Sequence, residues 1–311
     1  SALSLISERD GEIHAFVTLG AEEALAAARD IDARLARGEF VGPLAGVPVA
    51  IKDLLSTKGM RTTFGSRHYA DHVPSEDDVA VERLRAAGAI IIGKTNTSEF
   101  GYGAVPHNAL FATTRNPWDT RLSPGGSSAG SAAAIAAGMV PLALGSDGGG
   151  SIRVPGAFTG VVGFKPSWGR IPVYPGCRDP DMPGASGWES LEHIGPMARS
   201  VGDIRVAYHV MRGPDARDRH SIPSEPPQAK SVHRIAFSPD LGFAAVDADV
   251  LAVAKEAAEA LADALGLTLE MASPPIGDVQ QTFEALVALD TDRQGLLALR
   301  HSAQMGFGPE L

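Results

Sequence analysis

A serine preceded by three glycines is the pattern in this chain that is best suited to covalent chemistry. The run Gly-Ser-Asp-Gly-Gly-Gly-Ser-Ile-Arg occupies residues 145–153 and places Ser151 directly after the glycines. Because glycine has no side chain, consecutive backbone N–H groups in such a run can point at one spot, as a developing oxyanion requires. A flexible linker that ends in a polar residue would give the same pattern. The run therefore indicates either a nucleophilic serine beside an oxyanion hole or a plain loop.

A nucleophilic serine needs a base, and Lys52 is a better candidate than any histidine. The nine histidines show no paired spacing with Asp or Glu, and none lies near the glycine-serine runs. Lys52 ends a short apolar run, where burial would disfavour its charge, and catalysis requires its pKa to fall from ~10.4 to roughly 7–8. Asp53 follows, but neighbouring strand residues point to opposite faces, so it need not neutralise the lysine. The alternative is a lysine that extends from a strand end to solvent.

The elements that would position these residues alternate between strands and helices. Apolar runs predict strands at 47–52, 89–92, 140–144, 234–237 and 267–271. Helical periodicity and terminal signals predict helices at 21–38, 77–87, 128–137, 204–211 and 247–265. Glycine and proline predict a long loop at 166–187 and a linker-like turn at 223–227. The alternation is typical of an α/β layered fold.

Charge and composition narrow the functional classes. The net charge of -10 leaves no basic excess for a nucleic-acid-binding surface. The one cysteine, Cys177, makes a disulfide within the chain impossible and argues against a cysteine-ligated zinc site, which fits a reducing, cytoplasmic location. Residues 122–146 carry no charge but include two prolines and five glycines, so we expect them in the protein interior rather than in a membrane. The first ten residues show no signal-peptide pattern.

Two short motifs suggest other chemistries. Residues 88–95 match the spacing of a P-loop, but the residues between the glycines are apolar and strand-like where a phosphate-binding loop is flexible. Residues 126–130 match Gly-x-Ser-x-Gly, the nucleophile elbow, which would make Ser128 the nucleophile with a histidine partner. An elbow follows an apolar strand directly, and residues 121–125 are not one. We therefore expect neither nucleotide binding nor an elbow at these positions.

Several motifs in one order resemble the amidase signature family. The family pattern is Gly-Val-Pro-x-x-x-Lys-Asp, then Gly-Gly-Ser-Ser-Gly-Gly-Ser, then Gly-Ser-Asp-Thr-Gly-Gly-Ser-Ile-Arg. The chain matches these at residues 46–53, 125–131 and 145–153, with further family-like runs at 93–96 and 160–166 and a weaker one at 195–197. The resemblance implies an α/β/α sandwich with a mixed central β-sheet. It also implies a single domain over residues 1–311, with the signature core at about 46–166 and the C-terminal part missing.

The resemblance also implies the role of each site residue. Ser151 would be the nucleophile, Lys52 the base, and Ser127 a bridging serine held by a cis peptide bond after Gly126. Lys52 would take a proton from Ser127, which relays the proton of Ser151. The glycines implied to bind the oxyanion and substrate are Gly126, Gly148, Gly149 and Gly150. An acyl-enzyme would form and water would release the acid, without a metal or an organic cofactor.

Two residues depart from the family pattern. Ala129 replaces the usual glycine, which should be harmless in the first turn of a helix. Gly148 replaces the usual threonine, and we expect it to loosen the glycine run and alter the geometry of the oxyanion hole.

The activity implied is hydrolysis of a small-molecule amide, with neither nucleic acid nor membrane as a partner. An alternative within the family is the glutaminase (A) subunit of a tRNA-dependent amidotransferase, which hands ammonia to partner subunits. An alternative of another class is a non-catalytic or truncated member that binds only a ligand or partner. A homodimer is a further assembly left open. Glu99, Phe100 and Tyr102 follow the 93–96 motif and either line the acyl pocket or pack in the core.

Overall fold

The computed structural model describes residues 1–175, 182, 185, 188–223, 231–303 and 307. The chain divides into two compact units, one of Ser1–Ser224 with Asp290–Leu311 and one of Glu225–Leu289. The expectation of a single domain over residues 1–311 stays a prediction. Cys177, much of the predicted 166–187 loop and most of the predicted 223–227 turn lie outside the described residues.

A six-stranded mixed sheet forms the centre of the first unit. In spatial order the strands are β1 (Phe16–Leu19), β3 (Ile90–Thr95), β2 (Pro48–Lys52), β4 (Leu142–Ser146), β6 (Ile194–Ala198) and β5 (Val162–Gly163). Strand β2 runs parallel to β3 and β4, whereas the other three pairs are antiparallel. Ile51 pairs with Leu144, so the carboxyl ends of β2 and β4 reach the same edge of the sheet. This register brings Lys52 and Ser146 together.

Helices cover both faces of this sheet. The helices α1 (Ala2–Ile13), α2 (Ala21–Ala36) and α4 (Ala129–Ala136) contribute buried residues to the core on one face. The helices α3 (Val79–Ala86) and α6 (Val201–Met211) do so on the other face. Ala50 of β2 packs in the first core, and its neighbours Val49 and Ile51 pack in the second, as the alternation of strand side chains requires. The predicted α/β/α sandwich is confirmed.

Six α-helices and strands of the first unit were not anticipated from the sequence. They are α1, β1, β5, β6, α5 (Arg153–Thr159) and α9 (Arg293–Ala303). Helix α5 contains Pro155 and Gly156, and β6 contains Gly195 and Pro196, which are residue types that weigh against regular structure. The sequence predicts a strand at 140–144. The observed strand β4 begins two residues later, directly after Pro141, and ends two residues later, at Ser146.

The second unit has a β-α-β arrangement. Strand β7 (Ile235–Phe237) is parallel to β8 (Leu269–Met271), and α7 (Ala248–Leu265) connects them. The Asp247 carboxylate caps α7 by accepting from two backbone amides, and Gly266 ends it in a left-handed conformation. Helix α8 (Gln280–Asp290) ends at the boundary of this unit, and α9 (Arg293–Ala303) belongs to the first unit.

The uncharged stretch at residues 122–146 lies in the protein interior, as predicted. Most of it is buried, and it includes α4 and β4. Among the described residues, no helix is both long and apolar enough to cross a membrane.

Candidate active site

Lys52 is a fully buried lysine at the carboxyl end of β2. Its side chain is 0% exposed, and its Nζ donates to Ser127 Oγ at 2.7 Å. It also donates to Ser146 Oγ at 3.0 Å and to the Ser146 carbonyl at 3.2 Å. The three acceptors match the three donors of an ammonium group. Lys52 is therefore held by hydrogen bonds and does not extend to solvent, which contradicts the alternative of a solvent-directed lysine.

Ser127 and Ser128 stand at the start of α4 but have different surroundings. The Gly126–Ser127 peptide bond is cis, and Ser127 contacts the lysine. Ser128 Oγ instead donates to the Ser146 carbonyl at 3.2 Å and accepts from the Ser146 amide at 3.3 Å. Both of these contacts fix backbone at the end of β4. Ser128 is fully buried, which disagrees with the exposed nucleophile of an elbow.

Asp147 organises the turn that carries Ser151. Its carboxylate accepts from the amides of Gly150 at 2.7 Å and Ile152 at 3.1 Å. Arg153 adds two side-chain hydrogen bonds to the same carboxylate, both at 2.9 Å. Burial opposes the charge of Asp147, but the bonds from Arg153 and the two amides hold its pKa down at about 2. An ionised Asp147 thus fixes the turn around Ser151.

The amides of this turn do not all face the same way. The Gly150 amide is used by Asp147, which differs from the expectation that it faces the reaction centre. Gly150 has φ 122°, a conformation that favours glycine, so its role here is in the shape of the turn. The amides of Gly148, Gly149 and Ser151 make no hydrogen bond to any described residue. Three donors therefore remain for an anion at this turn.

Gly148 is packed tightly rather than loosely. A methyl group at this position would lie 2.6 Å from Cε3 and 3.0 Å from Cζ3 of Trp188. The indole Nε1 of Trp188 donates to Tyr102 Oη at 3.0 Å, and the two rings meet edge to face at 5.3 Å. The indole occupies the space in which a threonine side chain would lie. The expected loosening at Gly148 is therefore wrong in this structure. Ala129, the other departure, is the first residue of α4, as expected.

A small cavity of about 40 Å³ joins these groups. Its hydroxyl groups come from Ser127, Ser146 and the partly exposed Ser151. The remaining lining residues are apolar side chains, two carboxyl groups and two glycines: Leu54, Leu55, Asp78, Phe100, Gly101, Gly148, Val173, Ala185, Trp188, Glu192 and Ile194. Of the three residues suggested for an acyl pocket, only Phe100 lines the cavity. Phe100 also packs against Tyr69 in the core.

Burial gives Lys52 the electrostatics of a base. It lowers the pKa of the amine to about 8, although the charges of Glu192 and Asp147 oppose this shift. An amine with this pKa is partly neutral near pH 7 to 8 and can accept a proton. Within the described part of the chain, no three His, Cys, Asp or Glu side chains cluster as metal ligands would.

The second buried lysine, Lys94, belongs to the P-loop-like string and is used internally. Its Nζ donates to the Leu55 carbonyl, to Thr57 Oγ1 at 2.9 Å and to Thr62 Oγ1 at 2.8 Å. Between the two glycines of the string, Ala89 directly precedes β3 and the next three residues lie in it, and all four are buried. The string therefore forms a strand, as predicted, and not an open loop.

Comparison with known proteins decides the family. The sequence profile named Amidase matches residues 1–294. The chain belongs to the amidase family. This confirms the resemblance that the motifs around Lys52, Ser127 and Ser151 indicated.

Individual amidase-family relatives are longer than this chain. The A subunit of the glutamyl-tRNA(Gln) amidotransferase of Symbiobacterium thermophilum is 44% identical over 284 residues, which cover 88% of this chain and 56% of that protein. A bacterial aryl acylamidase of the amidase signature family superposes with a TM-score of 0.86 at 30% identity, covering 99% of this chain and 64% of that one. The amidotransferase A subunit from Thermotoga maritima gives a TM-score of 0.75 at 29% identity, again covering 99% and 64%. The chain therefore spans about half to two thirds of the length of these relatives.

Three residues of this amidase-family site were not singled out from the sequence. Ser146 and Asp147 lie within the glycine-serine run, and the only sign in the sequence that they belong to the site was their closeness to Ser151. Glu192 lies 41 positions after Ser151 and two before β6, where the weak family-like run at 195–197 was the only clue.

Proposed function

We propose that this chain carries the catalytic core of an amidase that hydrolyses a linear carboxamide through an acyl-enzyme on Ser151. The observation that supports this most directly is the 2.7 Å hydrogen bond between the buried Lys52 amine and Ser127 Oγ. Both serines line one cavity, so a proton that leaves Ser151 can reach Lys52 through Ser127. The family supports the same assignment.

The proposed reaction has two halves. Ser151 Oγ attacks the carbonyl carbon while its proton passes to Ser127, and the Ser127 proton passes to Lys52. The tetrahedral intermediate collapses, the C–N bond breaks, and the amine or ammonia takes the proton back from Lys52 along the same path. Water then attacks the acyl-enzyme ester with the same groups as base, and the carboxylic acid leaves. No atom other than those of substrate, water and protein is required.

We assign oxyanion binding to the free amides of the Ser151 turn. The amides of Gly148, Gly149 and Ser151 are available, and the Gly150 amide is not. Backbone donors fixed before the reaction stabilise the developing charge without reorganisation, and each is worth about 3–4 kcal/mol in comparable sites. Asp147 and Arg153 act on this step indirectly, because they fix the turn.

A second candidate function is that of a glutaminase subunit. The relatives of this chain include the A subunits of glutamyl-tRNA(Gln) amidotransferases. In this case glutamine would be the amide, and ammonia would pass to partner subunits. The two functions share the chemistry at Ser151 and differ in substrate range and in partners.

The experiment is a panel of amides with ammonia release as the readout. Wild type is compared with Ser151→Ala and Lys52→Ala, and with the exposed controls Ser75→Ala and Lys58→Ala. General acid–base catalysis contributes about 10²–10⁴-fold, so we expect at least a hundredfold loss in Lys52→Ala and unchanged rates in the two controls. Full activity in Ser151→Ala would refute the assignment.

The same panel separates the two candidate functions. Turnover of several small amides supports a general amidase. Turnover of glutamine alone, increased by added amidotransferase subunits, supports the glutaminase function. Binding of amides without release of ammonia would support the non-catalytic alternative.

Three further expectations remain part of this proposal. They are a single functional domain, a cytoplasmic location and a homodimer. Limited proteolysis, cell fractionation and sedimentation velocity test them in that order.

A further inference from the structure

Glu192 lies in the candidate site but has no part in the steps proposed above. It lines the same cavity as Ser127, Ser146 and Ser151. One of its carboxylate oxygens, Oε2, would lie 3.5 Å from a methyl group placed on Gly148. The carboxylate is therefore beside the turn that carries the nucleophile.

Ser146 connects Glu192 to the lysine. Its hydroxyl accepts from Lys52 Nζ at 3.0 Å, and it lines the same cavity as Glu192, near enough to lower the pKa of the Glu192 carboxyl group. A serine hydroxyl has one proton to donate and two lone pairs to accept with. A Ser146 that accepts from the amine thus keeps its own proton for the carboxylate. Hydrogen bonds join Lys52 to both Ser127 and Ser146, and Glu192 lies beside Ser146 in the cavity that they share.

Other charged groups near Lys52 already have strong partners. Asp147 is bound by Arg153 and by backbone amides of its own turn. Asp53, the residue after β2, accepts from the amide and the hydroxyl of Thr63. Asp78 caps α3 by accepting from the Ala80 amide, and burial, with a smaller contribution from the charge of Glu192, raises its pKa to about 8. Glu192 instead shares its cavity with Ser146, the serine that accepts from the lysine.

We infer that Glu192 is a positioning residue, which through the Ser146 hydroxyl holds the Lys52 amine against Ser127. This inference rests on the proposed function of Lys52 as the base. When the Ser127 proton moves to Lys52, the amine becomes an ammonium group beside a carboxylate, which stabilises the charge until the leaving group takes the proton. Burial lowers the pKa of Lys52 and raises the pKa of Glu192, and the charge of each group opposes the shift of the other, as expected for a carboxylate near the amine.

The test reads the Lys52 amine directly and does not depend on turnover. The chain has six lysines, so an NMR spectrum of ¹³C-labelled lysine side chains contains few resonances. The resonance that is missing from Lys52→Ala is assigned to Lys52. We expect its titration midpoint to fall in Glu192→Gln, because a charge that raises the pKa has been removed. The matched control is Glu189→Gln, whose carboxylate bonds Arg219 and His220 instead, and its midpoint should equal that of wild type.

The second readout is the rate at which a fluorophosphonate labels the serine. In Glu192→Gln the maximal rate should fall about tenfold, a part of what a well-placed base contributes. The pH at which the labelling rate reaches half its maximum should fall, because the pKa of the Lys52 amine falls. Glu192→Asp keeps the charge farther away and should give an intermediate midpoint and rate.

Each outcome bears on Glu192 separately from the proposed amidase activity. A Lys52 midpoint unchanged in Glu192→Gln, or lowered equally in Glu189→Gln, would overturn the inference even if the enzyme is active. A lowered midpoint in an unreactive protein would support the contact and sink the amidase proposal instead. If Glu192→Gln fails to fold, Glu192→Asp carries the test, and a wild-type midpoint in that variant counts against the inference.

Discussion

Substitution of Gly148 by alanine tests how closely the nucleophile turn is packed. The new methyl group would lie 2.6 Å from Trp188 Cε3, whereas carbon atoms in good contact are about 3.5–4.0 Å apart. The overlap is therefore about 1 Å. Trp188 is fixed by its hydrogen bond to Tyr102, so relief requires movement of the indole or of the turn. Overpacking of this kind costs about 1–3 kcal/mol of unfolding free energy.

Urea denaturation measures the expected loss. Gly148→Ala should lower the unfolding free energy by about 1–3 kcal/mol with an unchanged slope, and should lower kcat/KM because the amides of the turn are displaced. The control is Gly11→Ala in α1, where no atom lies within 4 Å of the new methyl group. This control should be neutral or stabilised by about 0.5–1 kcal/mol, since alanine is the better helix former.

A double variant tests whether the indole is the cause. If Trp188 creates the overlap, then Gly148→Ala should cost less in a Trp188→Leu background, with a coupling of about 0.5–3 kcal/mol. Wild-type stability and activity in Gly148→Ala would refute the close packing described here. Equal losses in both backgrounds would place the cause elsewhere in the turn.

Two predictions concern the other buried charges. Lys94→Met should lower the unfolding free energy by about 3–5 kcal/mol in urea. Three buried acceptors lose their donor, and the buried Asp53 loses the positive charge that favours its ionised form. Lys165→Met, at a half-buried lysine, should cost far less. Asp147 has a pKa of about 2 in the folded chain against 3.8 normally, so its contribution is present above pH 3.8 and disappears as the pH falls towards 2. That contribution is about 2 kcal/mol of unfolding free energy. The urea midpoint should fall less between pH 5 and pH 2 in Arg153→Gln than in wild type, because Asp147 then lacks the Arg153 bonds that lower its pKa.

The core of the fold could be predicted because its elements are encoded locally. The apolar run before Lys52 gives β2, and the small residues after Ser127 give α4. Strand β6 could not be predicted because Gly195 and Pro196 are poor strand formers. The structure shows why glycine is needed at 195, since any side chain there would collide with the Phe164 carbonyl of the adjacent chain segment. That contact links residues 31 positions apart and leaves no periodic signal.

The candidate site also has a part that the sequence predicts and a part that it does not. The types and order of Lys52, Ser127 and Ser151 indicated a base, a relay and a nucleophile, although their assignment to roles depended on family resemblance. Their contacts with Ser146 and Glu192 depend on which strands are neighbours, and the sequence does not contain that information in a local pattern. The direction of the Gly150 amide depends on a carboxylate three residues earlier, and only the folded turn shows it.

The central claim, that Ser151 is a nucleophile activated by Lys52, is tested most directly by fluorophosphonate labelling followed by intact-mass measurement and peptide mapping. We expect one adduct, located on Ser151, absent from Ser151→Ala and formed at least a hundredfold more slowly in Lys52→Ala. Its rate should rise with pH to a plateau above about pH 8, because the Lys52 amine must be neutral to accept a proton and burial lowers its pKa to about 8. An adduct that maps to Ser128, or that persists at the full rate in Lys52→Ala, would contradict the account.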